Sequence, residues 1–283
     1  MHLIHSNEII ADNIGKMVVE AEYTAMHRKA GQFVIIIIDE FGERVPLTIA
    51  GADKGAGTIT LYYQIVGKST SKLSMLKSGE YLKDVAGPLG HPTEVKKFGT
   101  VLCIGGGIGI APVYPIASAM KEAGNRVSGI IGAREGGLLI LENELSQVCD
   151  TLQVFTDNGS AGRKGFVTQG LSEILESEKI DLVVAVGPVP MMKAVSEITK
   201  EKNIKTFVSL NSVMVDGTGM CGGCRVTVGN ETKFTCVDGP EFDAHLVNFD
   251  ELLLRLNTYK DEESACFTEH KHKCRLDGVT KNG

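Results

Sequence analysis

Two regimes of hydrophobic patterning divide the chain. Up to about residue 97, short β-rich segments are separated by Gly, Asp and Lys turns: Met17–Tyr23, Gln32–Asp39, Arg44–Ala50 and Thr58–Val66. Their length, β-branched content and spacing predict strands of a small antiparallel barrel. From residue 98 the pattern alternates. Strands are predicted at Gly99–Ile104, Val127–Gly132, Gln153–Thr156 and Asp181–Gly187, with helices at Val113–Ala123, Leu139–Val148, Val167–Ser177 and Met191–Lys202. Strand–helix alternation of this kind builds a twisted parallel sheet. Beyond Lys205–Leu210, two short strands, Arg225–Val228 and Lys233–Cys236, flank a Gly229-Asn230 turn, and Phe249–Leu256 reads as one amphipathic helix. The expected fold is therefore a β barrel plus an α/β unit, divided as 1–97, 98–210, 211–248 and a helix and tail over 249–283.

With 283 residues, the chain is long enough for two domains with cores of their own. Its 43% hydrophobic and 23% charged residues describe a globular protein, and its net charge of -6 offers no general attraction to nucleic acid or anionic lipid. The longest obvious apolar run, Phe33–Ile38, is strand-sized, and the first residues lack the basic and apolar regions of a signal peptide. The seven cysteines suit a reducing cytosol better than a disulfide scaffold.

The strongest chemical signal lies between Asp216 and Cys236. Four residues separate Asp216 from Cys221, two separate Cys221 from Cys224, and eleven separate Cys224 from Cys236. With Cys in place of Asp, this is the plant-type [2Fe-2S] spacing. Gly217, Gly219, Gly222 and Gly223 permit a backbone that wraps closely around an inorganic core. A structural zinc site is the competing reading, although zinc ligands usually come as two Cys/His pairs. A redox Cys-x-x-Cys pair would need neither Cys236 nor the glycines. Cys103 and Cys149 lie within the α/β pattern, where buried cysteines serve as small apolar residues. The polar tail from Ser264 carries Cys266, His270, His272 and Cys274 and reads as mobile or partner-contacting rather than as a second metal site.

Three fragments of the barrel region stand out together: Arg44-Val-Pro-Leu-Thr48, Tyr63-Gln-Ile-Val-Gly-Lys-Ser-Thr70 and Gly87-Pro-Leu-Gly90. They offer a cation, hydroxyls and backbone donors for a diphosphate and a ring system. In the α/β region, Gly105-Gly-Gly-Ile-Gly-Ile-Ala-Pro112 runs from a strand into a helix N-terminus, where unpaired amides and the helix dipole bind anions. Ala133-Arg134, Thr156–Gly159 and Gly187-Pro188 would gather at the same edge of the sheet.

In this order, the motifs resemble the ferredoxin-NADP reductase superfamily with an appended [2Fe-2S] loop. Within it the chain is most similar to small subunits of electron-bifurcating NADH-dependent reduced ferredoxin:NADP+ oxidoreductases, also known as sulfide dehydrogenase small subunits. Electron-transfer subunits of dihydroorotate dehydrogenase are the sister group and the alternative; a non-catalytic nucleotide or redox sensor is a third reading. The resemblance implies FAD held by Arg44, Pro46, Leu47 and Thr48, by Tyr63, Gln64, Ile65, Gly67, Ser69 and Thr70, and near Gly87. It implies NAD(H) at Gly105, Gly106, Gly107, Gly109, Ala111 and Pro112, with Ala133, Arg134, Asp157, Asn158, Gly187 and Pro188 beside it. Asp216 replaces the first cluster cysteine of the dihydroorotate relatives, so the implied ligands are Asp216, Cys221, Cys224 and Cys236. No side chain is required as acid, base or nucleophile. The implied partner is a larger FAD/[4Fe-4S] subunit that handles NADP(H) and ferredoxin. Glu135 beside Arg134 predicts NAD(H) over NADP(H), because a 2′-phosphate there meets a carboxylate next to the cation.

Overall fold

The computed structural model describes residues 1–268. Its first half is an antiparallel sheet curled into a barrel, built from β1 (His2–Ala11), β2 (Ile14–Glu20), β3 (Phe33–Ile37), β4 (Arg44–Asp53), β5 (Thr58–Gln64), β6 (Tyr81–Leu82) and β7 (Asp84–Leu89). The strand order is β6-β1-β2-β5-β4-β3-β7. Its interior holds Ile4, Met17, Val19, Val34, Ile36, Ile49, Leu61 and Tyr63, all with 0–1% of their surface exposed.

The sequence pattern misses β1 because irregularities at Ile4/Ser6 and Ile9/Ala11 break its period-two alternation. The strand expected to run through Tyr23 stops at Glu20, and the chain turns into α1 (Glu22–His27), which Thr24 anchors by donating its hydroxyl to the Gly87 carbonyl at 3.0 Å. The Gly67–Thr70 segment, expected as a turn, opens a second helix, α2 (Lys68–Met75). Thr70 Oγ1 accepts the amides of Val66 and Gly67 at 3.1 Å, capping that helix from within.

The second half is the expected α/β unit: β8 (Thr100–Gly106), α3 (Ile110–Glu122), β9 (Arg126–Ala133), α4 (Glu142–Val148), β10 (Thr151–Thr156), β11 (Arg163–Lys164), α5 (Val167–Ser177), β12 (Leu182–Val186), α6 (Val189–Glu201) and β13 (Thr206–Ser209). All seven residues of β8 but the first, and every residue of β12, are buried, as strands covered on both faces must be. After the hairpin β14 (Arg225–Val228) and β15 (Glu231–Phe234), β16 (Glu241–Asp243) returns antiparallel to β13 and closes the order β11-β10-β9-β8-β12-β13-β16. The last element, α7 (Phe249–Leu256), begins at Asn248, whose side chain accepts the Glu251 amide at 3.0 Å. Residues 260–268 are helical; His270, His272 and Cys274 lie outside the described residues.

One face of the parallel sheet packs on the barrel. Ile14, Ala30, Ala50 and Tyr62 share a core with Val101, Cys103, Ile110 and Val113. The connecting segment is pinned to both halves at Thr93, whose amide donates to Ala30 O at 2.9 Å and whose hydroxyl donates to Glu241 Oε1 at 2.5 Å. Burial pushes the Glu241 carboxyl up to about 7, and the Thr93 bond only partly opposes this. Unfolded, the group titrates near about 4.3, so between the two values the folded state binds more protons, and stability is lost as pH rises through that window. Glu241→Gln should therefore leave the melting temperature unchanged below about pH 4 and raise it by several degrees at pH 8, a gain on the order of 3 kcal/mol. Parallel melting curves for the two proteins across that range would refute the assignment.

Candidate functional site

The cysteine loop reaches from β13 to the hairpin. The Cys224 and Cys236 side chains are buried with their Sγ atoms 3.2 Å apart, held by Thr235, whose amide and hydroxyl both donate to Cys224 O at 3.1 and 2.8 Å. Asp216 and Cys221 form a second pair at the exposed lip. The Cys221 amide donates to Asp216 Oδ2 at 2.6 Å, while Oδ1 accepts the amide and hydroxyl of Thr218. These bonds, that of the Thr218 amide foremost, hold Asp216 well below the usual carboxylate range. The three hydrogen bonds to the carboxylate take three of its about four lone-pair sites, so capping the loop leaves one for a metal. The Cys236 thiol is pushed up to about 12, first by burial and then by Cys224 beside it.

Asp216 with Cys221 and Cys224 with Cys236 make two pairs of donors, which suits a two-iron centre, since each iron takes two protein ligands. A structural zinc needs all four donors around one point. The donor set thus fits a [2Fe-2S] centre. Because ligands must be deprotonated to bind, assembling it displaces the proton that burial holds on Cys236.

The loop rests on the barrel. Phe33 and Ile35 of β3 pack with Ala86, Leu89, Met214 and Phe234 around Cys224 and Cys236. Gly217, at φ +78°, permits this contact; a Cβ placed on it would lie 2.6 Å from Ile35 Cγ1. An open pocket of about 300 Å³ runs between the two parts, lined by Pro88, Leu89, Gly90 and His91 on one side and Gly217, Thr218, Cys236 and Val237 on the other. His91, on the pocket wall, carried no signal in the sequence.

On β4, Val45 and Leu47 pack on the barrel core, which by strand alternation leaves Arg44, Pro46 and Thr48 on the opposite face. Leu47 therefore presents no side chain to a ligand there. Arg44 Nη2 donates to the Asp216 carbonyl at 3.0 Å, and its buried Nε has no partner among the described residues. That orphan donor beside the barrel face suits an oxygen-rich flavin cofactor. Tyr63 departs from the expectation: its ring is 1% exposed inside the barrel and its hydroxyl donates to Asn7 Oδ1 at 2.7 Å, so its side chain is core. Ile65 likewise packs on the barrel core, whereas Gln64 is partly exposed. Gly67 and Ser69 lie at the α2 N-terminus, with the Ser69 hydroxyl bonded to Glu43. Gly87 packs against Val34.

The residues expected at the nucleotide edge lie at the C-terminal ends of the parallel strands. Gly105 and Gly106 end β8, Gly107 and Gly109 make the turn, and Ala111 and Pro112 lie in the first turn of α3. A Cβ on Gly109 would lie 2.4 Å from Val186 O, so only glycine lets the loop approach β12 so closely. Gly187 and Pro188 follow β12 on the same edge. The loops after β9 and β10 are joined through Asp157 N to Ala133 O at 3.1 Å and Asn158 N to Arg134 O at 3.2 Å. Asn158 Oδ1 accepts from the amide and hydroxyl of Ser160, and Ser160 Oγ accepts the Gly136 amide at 2.8 Å, a positioning role sequence inspection missed. Lys164 also lies against Gly159, so Arg134 is not the sole cation of this edge.

A flavin barrel, a nucleotide-binding parallel sheet and an iron-sulfur loop define an oxidoreductase of the ferredoxin-NADP reductase type. The iron-sulfur cluster binding domain of dihydroorotate dehydrogenase B matches residues 211–248, and the oxidoreductase NAD-binding domain matches residues 103–197. A dihydroorotate dehydrogenase B (NAD(+)) electron transfer subunit homolog of Thermotoga maritima is 45% identical over 258 residues, 91% of each chain. The dihydroorotate dehydrogenase B (NAD(+)) electron transfer subunit of Fusobacterium nucleatum is 32% identical over 249 residues, 84% of this chain and 94% of its own length. A chain of the NADH-dependent reduced ferredoxin-NADP oxidoreductase structure, solved for insight into flavin-based electron bifurcation, is 43% identical, with a TM-score of 0.90 over 95% of this chain and 97% of that one. The chain belongs to the family of dihydroorotate dehydrogenase B-type electron transfer subunits, whose flavin, iron-sulfur and NAD sites it carries. No helix among the described residues is long and apolar enough to cross a membrane.

Gly217→Ala should push the loop off Ile35 and force a left-handed alanine, a penalty of at least about 1 kcal/mol before the clash is counted. The expected result is loss of iron and acid-labile sulfide with flavin retained. Full iron content with an unaltered visible spectrum would show that the Ile35 contact does not set the loop.

Proposed function

We propose that this chain is the NAD(H)-reactive electron-transfer subunit of a flavin-based electron-bifurcating NADH-dependent reduced ferredoxin:NADP+ oxidoreductase. Asp216 carries this reading: a carboxylate stands in the first donor place of an otherwise cysteine site and is already paired with Cys221. The likeness to a chain of the bifurcating enzyme, 43% identity at a TM-score of 0.90 over 95% of this chain, supports it beside the 45% identity with the Thermotoga maritima relative. The second reading, an electron-transfer subunit of dihydroorotate dehydrogenase, draws on the matched cluster domain and on the name of the Thermotoga maritima relative.

In this assignment residues 1–97 hold FAD, 98–210 hold NAD(H), and 211–248 hold the cluster through Asp216, Cys221, Cys224 and Cys236. Arg44, Pro46 and Thr48 offer a cation, a flat apolar surface and a hydroxyl on one face of β4, and the amides at Gly67 and Ser69 open α2 for a diphosphate. Gly105, Gly106, Gly107 and Gly109 with the α3 N-terminus receive the second diphosphate. Arg134, Asp157 and Asn158 stand where the adenosine half would lie, and Gly187 and Pro188 stand toward the reacting half. Leu47, Tyr63 and Ile65 shape the flavin face from inside the barrel. When bound, the flavin exchanges electron pairs with nicotinamide and single electrons with an iron-sulfur centre. The chain's part is to orient both rings and to keep the thiols and Asp216 fixed beside the barrel. The described residues contain one cysteine constellation, so the second flavin, the [4Fe-4S] centres and the NADP(H) and ferredoxin sites belong to a larger partner subunit.

The deciding experiment is purification of the native complex followed by identification of the copurifying chain. A large flavin and [4Fe-4S] subunit supports the proposal; a TIM-barrel dihydroorotate-oxidising subunit replaces it with the second reading; a monodisperse monomer rejects both. Nucleotide preference follows from the β9 edge, where Glu135 and Asp157 stand with Arg134 and Lys164 and leave a 2′-phosphate no net attraction. Reduction of an artificial acceptor should show the higher kcat/KM with NADH, and the reverse order would overturn the assignment of this edge. For the metal site, Asp216→Cys should keep the cluster with altered EPR g-values and potential, and Asp216→Ala should make it labile. Spectra and potentials unchanged in both variants would remove Asp216 from the ligand set.

A further inference from the structure

Three arginines donate to carbonyls of the cysteine loop: Arg225, next to Cys224, bonds Gly222 O at 3.2 Å from within the loop, and Arg44 and Arg255 reach it from other parts of the fold. Arg44 reaches from β4 to the Asp216 carbonyl at 3.0 Å, across 172 positions of sequence. Arg255, in the last turn of α7, donates from Nη2 to the Gly223 carbonyl at 3.1 Å. The Asp216 carbonyl belongs to the residue that opens the first donor pair; the Gly223 carbonyl immediately precedes Cys224 of the other pair. One cation comes from the flavin barrel and the other from the C-terminal helix, so the loop is gripped from two independent parts of the fold. Neither the Arg44 nor the Arg255 guanidinium has a carboxylate within ion-pairing distance among the described residues.

We infer that Arg44 and Arg255 form a two-sided clamp that holds the loop in its liganding conformation and raises the reduction potential of the centre it binds. The inference rests on the iron-sulfur assignment of Asp216, Cys221, Cys224 and Cys236. A segment with glycine at 217, 219, 222 and 223 gains much conformational entropy on release, so fixed donors on its carbonyls matter more than they would on a strand. Arginine suits the task because its donors are held in a rigid planar fork and its charge is permanent. A [2Fe-2S] centre with four anionic protein ligands is net negative and gains a further negative charge on reduction, which nearby unpaired cations favour. Both arginines are positioning residues that act through the backbone of the loop.

Arg255→Gln is the cleaner test, because Arg255 lies outside every flavin and nucleotide contact assigned above. In the holoprotein it should speed iron loss to a chelator by about 10- to 100-fold, the usual consequence of removing an outer-shell partner. The midpoint potential in EPR-monitored titration should fall, while FAD content and its reduction by NADH stay as in the wild type. Arg255→Lys keeps the charge and the helix but loses the fork, so it should show faster iron loss at a near-native potential. A potential as low as that of the Gln variant would reject the electrostatic half. Arg44→Gln is read in flavin-stripped protein, where loss of flavin affinity cannot contribute, and should shift the same two quantities in the same direction. Native g-values, potential and iron-loss rate in Arg255→Gln and in flavin-stripped Arg44→Gln would overturn the clamp. Wild-type protein lacking iron and labile sulfide would instead reject the assignment beneath it.

Discussion

The packing of Cys224 and Cys236 onto Phe33 and Ile35 is the contact on which the relation between the redox sites depends. The hairpin of β14 and β15 has four residues in each strand and no third strand, so it is marginal in water on its own. It becomes ordered because one side leans on the barrel through β3 and the other sends Val226 into the core beneath α6 and α7. β3, on which the cysteines pack, is also the hydrogen-bonded neighbour of β4, whose outer face bears Arg44, Pro46 and Thr48. The spacing of flavin face and cysteine loop is thus a property of one strand pair, which a rigid ladder keeps constant. Electron transfer asks for such constancy and for no reactive side chain.

The nucleotide sheet is fixed to the same frame by different means. Tyr62 and Ile14 of the barrel enter its core, and the connecting segment is nailed at Thr93 between Ala30 and Glu241. Glu241 belongs to β16, the strand that returns after the hairpin, so the last addition to the parallel sheet is also its tie to the barrel. Barrel, sheet and cysteine loop all meet near this joint. A carboxyl enclosed there without a cation is a costly choice, tolerated because the Thr93 hydroxyl satisfies it and because it is neutral at the lower end of the physiological range.

Charge is distributed with a matching logic. Most ion pairs of the molecule are exposed and contribute little. The arginines at the cysteine loop are spent on carbonyls instead, and Asp216 collects amide hydrogens while staying ionised. A chain of net charge -6 thus sets arginines without carboxylate partners among the described residues against the backbone of its cysteine loop.

The sequence alone determined the order of parts, the cysteine spacing and the helices Val167–Ser177 and Phe249–Leu256, because these follow from local periodicity and chain connectivity. It also located Gly105–Gly109 at a strand-to-helix turn, where glycine is the direct expression of a close backbone approach. It did not show β1, whose bulges erase the alternation, nor α1 and α2, which are short and polar and form because Thr24, Asn7 and Thr70 find partners. Which way Tyr63 points was hidden too, since an aromatic on a barrel strand suits either face until the register of β5 against β2 selects one. The contacts of Arg44 with Asp216 and of Thr93 with Glu241 join residues more than a hundred positions apart. No local pattern encodes such meetings; they exist only once the barrel, the sheet and the hairpin have packed, because burial of their shared apolar faces brings those backbones together.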